Sequence, residues 1–311
     1  TMENTRAKTT RNSLILLLTA TIWGMAFVSQ SKGMDYMHPF TFNGVRSLIG
    51  AAGILVYILI SRKIAGDKAA KLDWKLNVRA GLLCGIFLTI ASTLQQFGIK
   101  YTSVGKAGFI TTLYIIFVPM FGIFLKKKVA PVVWAAAGMA AVGMYLLCMT
   151  ESLSLGAGDI MVFLCAIAFA IQIMTVDHYA ARIDGAVVSC IQFTVCGVVC
   201  CIGALIWGQP TFGQLQEGLG ALLYAGVLSC GVGYTLQIVG QKGLNPTVAA
   251  LIMSLESVIA TISGWIAYKI GFLSTDQTLT PRQIAGCVIV FAAVILVQLP
   301  QEWFRLGKKN A

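Results

Sequence analysis

Residues 93–113, TLQQFGIKYTSVGKAGFITTL, align without a gap with residues 235–255, TLQIVGQKGLNPTVAALIMSL, at a constant offset of 142. Eight of the 21 aligned positions are identical, and they include glutamine, glycine and lysine as well as apolar residues. An apolar composition alone does not supply identical polar residues, so the alignment predicts an internal repeat. The identical pairs are Thr93/Thr235, Leu94/Leu236, Gln95/Gln237, Gly98/Gly240, Lys100/Lys242, Ala107/Ala249, Ile110/Ile252 and Leu113/Leu255.

Each copy lies where two long apolar segments meet, in a chain that carries few charges. Of the 311 residues, 57% are hydrophobic and 11% are charged, and the mean hydropathy is +0.81. A soluble domain is about 25% charged. A helix needs about 20 residues to cross the ~30 Å hydrocarbon core of a bilayer. Ten segments meet that requirement, namely 12–31, 40–60, 80–99, 107–125, 129–149, 158–176, 186–207, 219–239, 247–268 and 283–299.

The repeat pairs predicted spans 3 and 4 with predicted spans 8 and 9, so each half of the chain holds five spans. The predicted halves are residues 1–150 and residues 151–311. Because five is an odd number, the second half begins on the opposite side of the membrane from the first. The predicted fold is an all-α membrane protein with ten transmembrane helices in two inverted five-helix repeats. Inverted repeats permit alternating access to a site near mid-bilayer.

The basic residues predict how the chain is oriented. The net charge is +11, but the lysines and arginines occur in short clusters between the apolar segments. With a cytoplasmic N-terminus, 17 of them lie on the cytoplasmic side and five on the other, and Arg46 completes the 23. Positive charge accumulates in cytoplasmic loops, so we expect a multi-pass protein of the cell (plasma or inner) membrane with both termini in the cytoplasm. The dispersed charge does not favour nucleic-acid binding.

Several short motifs along the chain match those of one membrane family. Trp23-Gly24 stands in the first span, Arg46 in the second, Gly158-Asp159 at the start of the sixth and Leu255-Glu256 in the ninth. Further matches are Phe27, Pro39, Pro119, Gly264-Trp265 and the segment Thr280 to Gly286. With these residues the sequence resembles the EamA-type transporters of the drug/metabolite transporter superfamily. The resemblance implies ten helices, two repeats and a central substrate cavity.

Three departures from the family pattern leave the substrate open. Ser257 stands where a proline is usual, Lys126–Lys128 replace a frequent glutamate, and residues 271–280 form an insertion. We expect secondary transport of a small metabolite, either amino-acid-like or aromatic and amphipathic, and the family resemblance favours export. The alternative is efflux of drugs or toxic compounds by the same fold.

An intramembrane enzyme or a receptor is a more remote alternative for this chain. The sequence contains no nucleotide-binding P-loop and no hydrolase or zinc-protease motif. His38 and His178 fall at opposite membrane edges, and the nine cysteines lie in or beside apolar segments without metal-ligand spacing. We therefore expect no cofactor and no metal. The expected partners are a small-molecule substrate, the lipid bilayer and protons, and the chain is expected to be a monomer or a weak homodimer.

Two charged residues lie well inside predicted spans. Glu256 is about the tenth residue of span 9, hence roughly 15 Å deep, and Arg46 is about the seventh of span 2, roughly 10 Å deep. A charge at the bilayer centre costs at least ~2.5–3.5 kcal/mol, so each should face the protein interior or water. Glu256 is a candidate proton site or contact for a cationic group, and Arg46 a candidate contact for a carboxylate. The structural alternatives are a hydrogen bond within the bundle and a fixed helix contact.

The remaining candidate residues are amides, aromatic side chains and hydroxyls within the spans. Buried amides must line a cavity or bond across helices, whereas the aromatic side chains form either cavity walls or core packing. Tyr114 and Glu256 are equivalent under the offset of 142, which places them at the same depth as a candidate cavity pair. The full set of predicted substrate-binding residues is Glu256, Gln95, Gln237, Tyr114, Trp23, Arg46, Gln172, Tyr234, Thr111 and Ser254.

Overall fold

The computed structural model describes residues 2–66, 72–125, 130–148, 156–274 and 278–298, and these form helices joined by short connections. Within these described ranges, ten long helices follow one another. They are α1 (Met2–Gly33), α2 (Pro39–Ala65), α3 (Trp74–Ile99), α4 (Val104–Phe124), α5 (Pro131–Cys148), α6 (Ala157–Tyr179), α7 (Gly185–Gly208), α8 (Leu219–Gln241), α9 (Pro246–Lys269) and α10 (Pro281–Gln298).

Eight of these helices are long and apolar enough to cross a membrane, which makes the chain a multi-pass membrane protein. The apolar parts of α5 and α10 are shorter, Pro131–Gly143 and Pro281–Leu296. The count of ten spans therefore stays a prediction. Three predicted features, namely the boundary at 150 and 151, Lys126–Lys128 and part of the 271–280 insertion, fall outside the described residues.

Two features of the helices differ from the sequence prediction. Helix α1 begins at Met2, well before residue 12, because polar residues continue the helix beyond the apolar segment. A short helix, Phe212–Glu217, lies between α7 and α8 and begins where the Thr211 hydroxyl accepts a hydrogen bond from the Gln214 amide. Side-chain capping of this kind starts helices that have no apolar periodicity to reveal them.

The two copies of the repeated sequence form corresponding helix starts. The Ser103 side chain caps α4 by accepting from the Lys106 amide, and the Asn245 side chain caps α9 by accepting from the Thr247 amide. Ser103 and Asn245 are themselves 142 residues apart. Residues at equivalent positions of the repeat thus differ in type but have the same capping role, because each provides a side-chain oxygen to the first turn of its helix.

The helix packing keeps its pattern when α1–α5 are exchanged for α6–α10. The pair α1–α9 corresponds to α6–α4, α3–α6 to α8–α1, and α3–α7 to α8–α2, while α2–α7 and α5–α10 each correspond to themselves. Small residues permit the closest crossings. A Cβ added to Gly50 in α2 would lie 2.9 Å from the Gly226 carbonyl oxygen in α8, and one added to Gly226 would lie 2.9 Å from that of Arg46.

Two helices break near their centres, at nearly equivalent positions. Regular α-helix in α4 covers Val104–Thr112 and Tyr114–Phe124, and in α9 it covers Pro246–Met253 and Leu255–Lys269. The breaks therefore fall at Leu113 and Ser254. In α8, residues Tyr224–Gly233 form wider π-helical turns. Such irregular turns are frequent at functional sites, and interrupted membrane helices frequently line binding sites.

Candidate functional site

A cavity of about 30 Å³ lies among α1, α2, α3, α4, α6, α7, α8 and α9. Nine of the ten predicted site residues line it: Glu256, Gln95, Gln237, Tyr114, Trp23, Arg46, Gln172, Tyr234 and Thr111. The tenth, Ser254, is not in the lining, because its buried hydroxyl turns back along α9 and donates to the Leu251 carbonyl at 2.7 Å. The cavity also contacts Gln30, Ser92, Phe193, Ser229 and Cys230.

Glu256 lies just beyond the break in α9, in the first turn of the helix that begins at Leu255. The Tyr114 hydroxyl donates to its Oε1 at 3.0 Å, and both side chains are at most 3% exposed. The positive end of a helix favours a carboxylate in its first turn. Within the described part of the chain, no salt bridge involves Glu256. A buried acid in this state is able to accept a cationic group or exchange a proton.

Arg46 lies in α2 and is 5% exposed. Its Nε donates to Asn43 Oδ1 at 3.0 Å, and its guanidinium carbon lies 5.5 Å from the centre of the Phe42 ring. The Asn43 amide nitrogen lies 3.0 Å from Ser92 Oγ in α3 and 3.2 Å from Cys200 Sγ in α7. These contacts orient the guanidinium across three helices. The salt bridges of the described residues do not include Arg46, so its charge is open to an anionic group.

The amides form different contacts in the two halves. Gln172 and Gln237 exchange hydrogen bonds, with Gln237 Nε2 3.1 Å from Gln172 Oε1 and Gln172 Nε2 3.4 Å from Gln237 Oε1. Gln95, the repeat equivalent of Gln237, donates instead to Thr111 Oγ1 at 3.2 Å. Each of these amides therefore satisfies part of its hydrogen-bonding capacity within the wall of the cavity that it lines.

Aromatic rings form part of the cavity wall. The rings of Trp23 and Tyr234 lie 4.5 Å apart, and the rings of Phe193 and Tyr234 lie 5.0 Å apart in an edge-to-face arrangement. Trp23 Nε1 donates to the Ser229 carbonyl at 3.4 Å, within the π-helical part of α8. The cavity thus combines one acid, one base, several amides and a flat aromatic surface.

Gln30 is a lining residue that the sequence analysis did not select. Its side chain is 4% exposed, and its Oε1 has no hydrogen-bond partner among the described residues. The available signal was spacing: Trp23, Ala26, Phe27 and Gln30 follow the i, i+3, i+4, i+7 pattern of one helix face. All four line the cavity.

Polar contacts join helices of the two halves at both ends of the bundle. At one end, Lys106 Nζ lies 2.6 Å from Asp159 Oδ2, and the Thr102 hydroxyl donates to Asp159 Oδ1 at 2.8 Å. At the other end, Asn12 Nδ2 donates to the Lys242 carbonyl at 2.7 Å. One contact joins the first turn of α6 to Thr102 and Lys106 beside the start of α4, and the other joins α1 at Asn12 to Lys242 between α8 and α9.

His38 lies between α1 and α2, and its Nδ1 caps α2 by accepting from the Phe40 amide at 3.4 Å. Burial, and secondarily the positive charge of Lys100, lower the pKa of His38 below its usual 6.5. The neutral imidazole is therefore favoured, and only the neutral ring accepts a hydrogen bond at Nδ1.

Comparison with known proteins agrees with this architecture. The model of the EamA-like transporter family matches residues 11–149 and again residues 156–299. An uncharacterized transporter of Archaeoglobus fulgidus is 27% identical over 290 residues, covering 91% of this chain and 84% of its own length. The uncharacterized transporter YwfM of Bacillus subtilis is 24% identical over 290 residues, covering 92% of this chain and 93% of its own.

A protein of known crystal structure has the same fold, with a TM-score of 0.73 and 16% sequence identity. The match covers 95% of this chain and 99% of the other. The family model matches the chain twice and leaves few residues unmatched, and the relatives are named as transporters. The chain therefore belongs to the EamA-like transporter family and is a membrane transporter.

Proposed function

We propose that this protein exports a small zwitterionic metabolite with an apolar or aromatic side group by alternating access. The observation that carries the proposal is the pairing of Glu256 and Arg46 in one cavity, where neither forms a salt bridge among the described residues. Two buried opposite charges without counter-ions are costly. A substrate with an ammonium and a carboxylate supplies both counter-ions at once.

The aromatic wall and the amides support the rest of this assignment. Trp23 and Tyr234 offer a flat surface for an apolar or aromatic group. The free oxygen of Gln30 offers an acceptor for an additional N–H or O–H group. A purely apolar drug would leave Arg46 without a counter-ion and Glu256 without a cationic partner, which disfavours it as the main substrate.

The packing supports alternating access. The cavity has room for only one or two water molecules, so a metabolite requires the surrounding helices to separate. The helix contacts keep the same pattern when α1–α5 are exchanged for α6–α10. Two inverted five-helix repeats, residues 1–150 and 151–311, would produce this pattern. In the proposed cycle, the contacts of Asp159 and of Asn12 open in turn, one at each side of the membrane.

Glu256 is the proposed coupling site. Glu256 binds a proton when no cationic group is present and releases it when the substrate ammonium binds. Protons and substrate would therefore cross the membrane in opposite directions. The export direction rests on the family resemblance, with both termini in the cytoplasm.

The test is flux through proteoliposomes that hold the purified full chain in known orientation. Labelled amino acids and aromatic amines are first screened for thermal stabilisation of the protein, and the best ligand is then followed across the bilayer. We expect saturable movement of a zwitterion and a smaller effect with the matching amine or acid alone. Chemical conversion without flux would overturn the proposal, and a preference for uncharged drugs would replace it with multidrug efflux.

A further inference from the structure

A second, larger cavity opens on the lipid-facing surface between α1, α8 and α9. It has a volume of about 620 Å³ and is separate from the central cavity. Its walls include Met25 and Val28 of α1, Ala221 of α8, and Ile262 and Ile266 of α9. We call this feature the lateral groove.

The groove surface is apolar although three polar side chains border it. Ser29 Oγ donates to the Ala221 carbonyl at 2.7 Å, the Tyr224 hydroxyl donates to the Ile22 carbonyl at 3.1 Å, and Ser263 Oγ lies 3.4 Å from the Gly24 carbonyl. Each hydroxyl is thus engaged by a neighbouring backbone. The groove offers hydrocarbon contact and does not suit a polar solute.

The length and depth of the groove match one leaflet of a bilayer. Along α9 its lining runs from Ile259 to Ile270, which is about 16 Å of helix. Half of a ~30 Å hydrocarbon core is about 15 Å. Because Ile270 follows the last residue of α9, the groove extends from the membrane edge to the bilayer centre.

Positive charge stands at the open end of the groove. Lys32 Nζ lies 5.8 Å from the centre of the Phe272 ring, which lines the groove, and exposed Lys269 immediately precedes Ile270. Asp35 pairs with Lys32 at 3.0 Å, but the two lysines still outnumber this one carboxylate. A lysine ammonium at the level of the headgroups attracts the phosphate of an anionic lipid.

We propose that the lateral groove binds one acyl chain of an anionic phospholipid from the leaflet at the Gly33 end, with the lipid phosphate beside Lys32 and Lys269. The bound chain contacts α1 on the face opposite the central cavity, since Met25 and Val28 line the groove while Ala26 and Phe27 line the cavity. The lipid therefore braces the helix that separates the two cavities. This site does not depend on the proposed substrate or direction of transport.

Glycines in open space provide a matched pair of variants. A Cβ added to Gly220 in the groove, or to Gly53 on α2, meets no atom within 4 Å. Gly220→Phe therefore adds a ring to the groove lining from a position where the new Cβ meets no neighbour, and Gly53→Phe adds the same side chain to a surface away from the groove. The double variant Lys32→Gln/Lys269→Gln removes the basic charge and leaves the apolar walls intact.

The experiment is native mass spectrometry of the full chain in mild detergent with dioleoyl phosphatidylglycerol or dioleoyl phosphatidylcholine. We expect the wild type to retain phosphatidylglycerol in preference to phosphatidylcholine. Gly220→Phe should weaken this retention roughly tenfold, while Gly53→Phe should not. The double lysine variant should retain the two lipids equally.

Several results would overturn the lipid site. They are equal retention of both lipids by the wild type, unchanged retention in Gly220→Phe, or a dimer that Gly220→Phe dissociates, since the groove would then be a protein interface. Photoreactive phosphatidylglycerol on the wild type decides the matter if Gly220→Phe does not fold. Adducts confined to residues 25–33, 219–224 and 259–272 support the site, and adducts found only elsewhere refute it.

Discussion

Replacing Glu256 by glutamine should separate its role in transport from its role in packing. Glutamine keeps the shape of the side chain. Its side-chain carbonyl oxygen can still accept a hydrogen bond from the Tyr114 hydroxyl, which lies 3.0 Å from Glu256 Oε1 in the wild type. The substrate ammonium, however, loses a charged partner. A hydrogen bond to a charged group contributes about 1.5–3 kcal/mol, which corresponds to roughly 10- to 150-fold in affinity. Flux at low substrate concentration should fall by that factor.

The assay measures proteoliposome flux and thermal unfolding on the same preparations. Tyr114→Phe is the matched variant, because it keeps the charge of Glu256 and removes the hydrogen bond instead. It should unfold at a lower temperature than Glu256→Gln, since loss of a buried partner costs about 1–3 kcal/mol. Flux at the wild-type rate in folded Glu256→Gln would refute a substrate or proton role for this carboxyl group and leave only the structural one.

Three other predictions test a helix cap, a close helix crossing and a buried amide pair. Burial lowers the pKa of His38. The stability that this residue contributes above about pH 6.5 is therefore lost as the pH falls through the lowered pKa. The variant His38→Asn still caps α2, so its melting temperature should fall less than that of the wild type between pH 7.5 and 5. Gly226→Ala should lose about 1–3 kcal/mol in stability by forcing α2 and α8 apart, whereas Gly53→Ala, in open space, should be neutral or slightly stabilising. Gln237→Leu should destabilise by about 1–3 kcal/mol because Gln172 loses its partner, and replacing both glutamines by leucine should restore part of that loss in a thermal unfolding assay.

The repeated sequence predicted more of the site than any single motif did. The offset of 142 paired Tyr114 with Glu256 from depth alone, and the structure places their side chains 3.0 Å apart. The same offset does not reveal partners, because Gln95 contacts Thr111 whereas Gln237 contacts Gln172. Depth follows from position along one helix, while a partner depends on which other helix lies alongside. Whether these residues bind substrate stays a prediction.

Other features of the site depend on how the helices pack against one another, and the sequence indicates them only weakly. Ser254 is a hydroxyl candidate within the ninth span, but its side chain donates to the Leu251 carbonyl within α9 and does not line the cavity. Gln30 is not among the predicted site residues, although it lies on the same face of α1 as Trp23 and lines the cavity. The lateral groove requires α1 to lie beside α8 and α9, which are distant from it in the sequence, so periodicity within any one of these helices does not reveal the groove.

Contacts across the two halves hold both charged groups of the cavity. The Glu256 side chain accepts a hydrogen bond from Tyr114 of α4. The backbone carbonyl oxygen of Glu256 would lie 2.7 Å from a Cβ added to Gly24 of α1. Arg46 of α2 is oriented by Asn43, which also contacts Cys200 of α7. A ligand that joined the two charges would therefore join helices of both halves, and separating those helices would weaken the same contacts. Binding and release would then be opposite results of one movement, which is the coupling that alternating access requires.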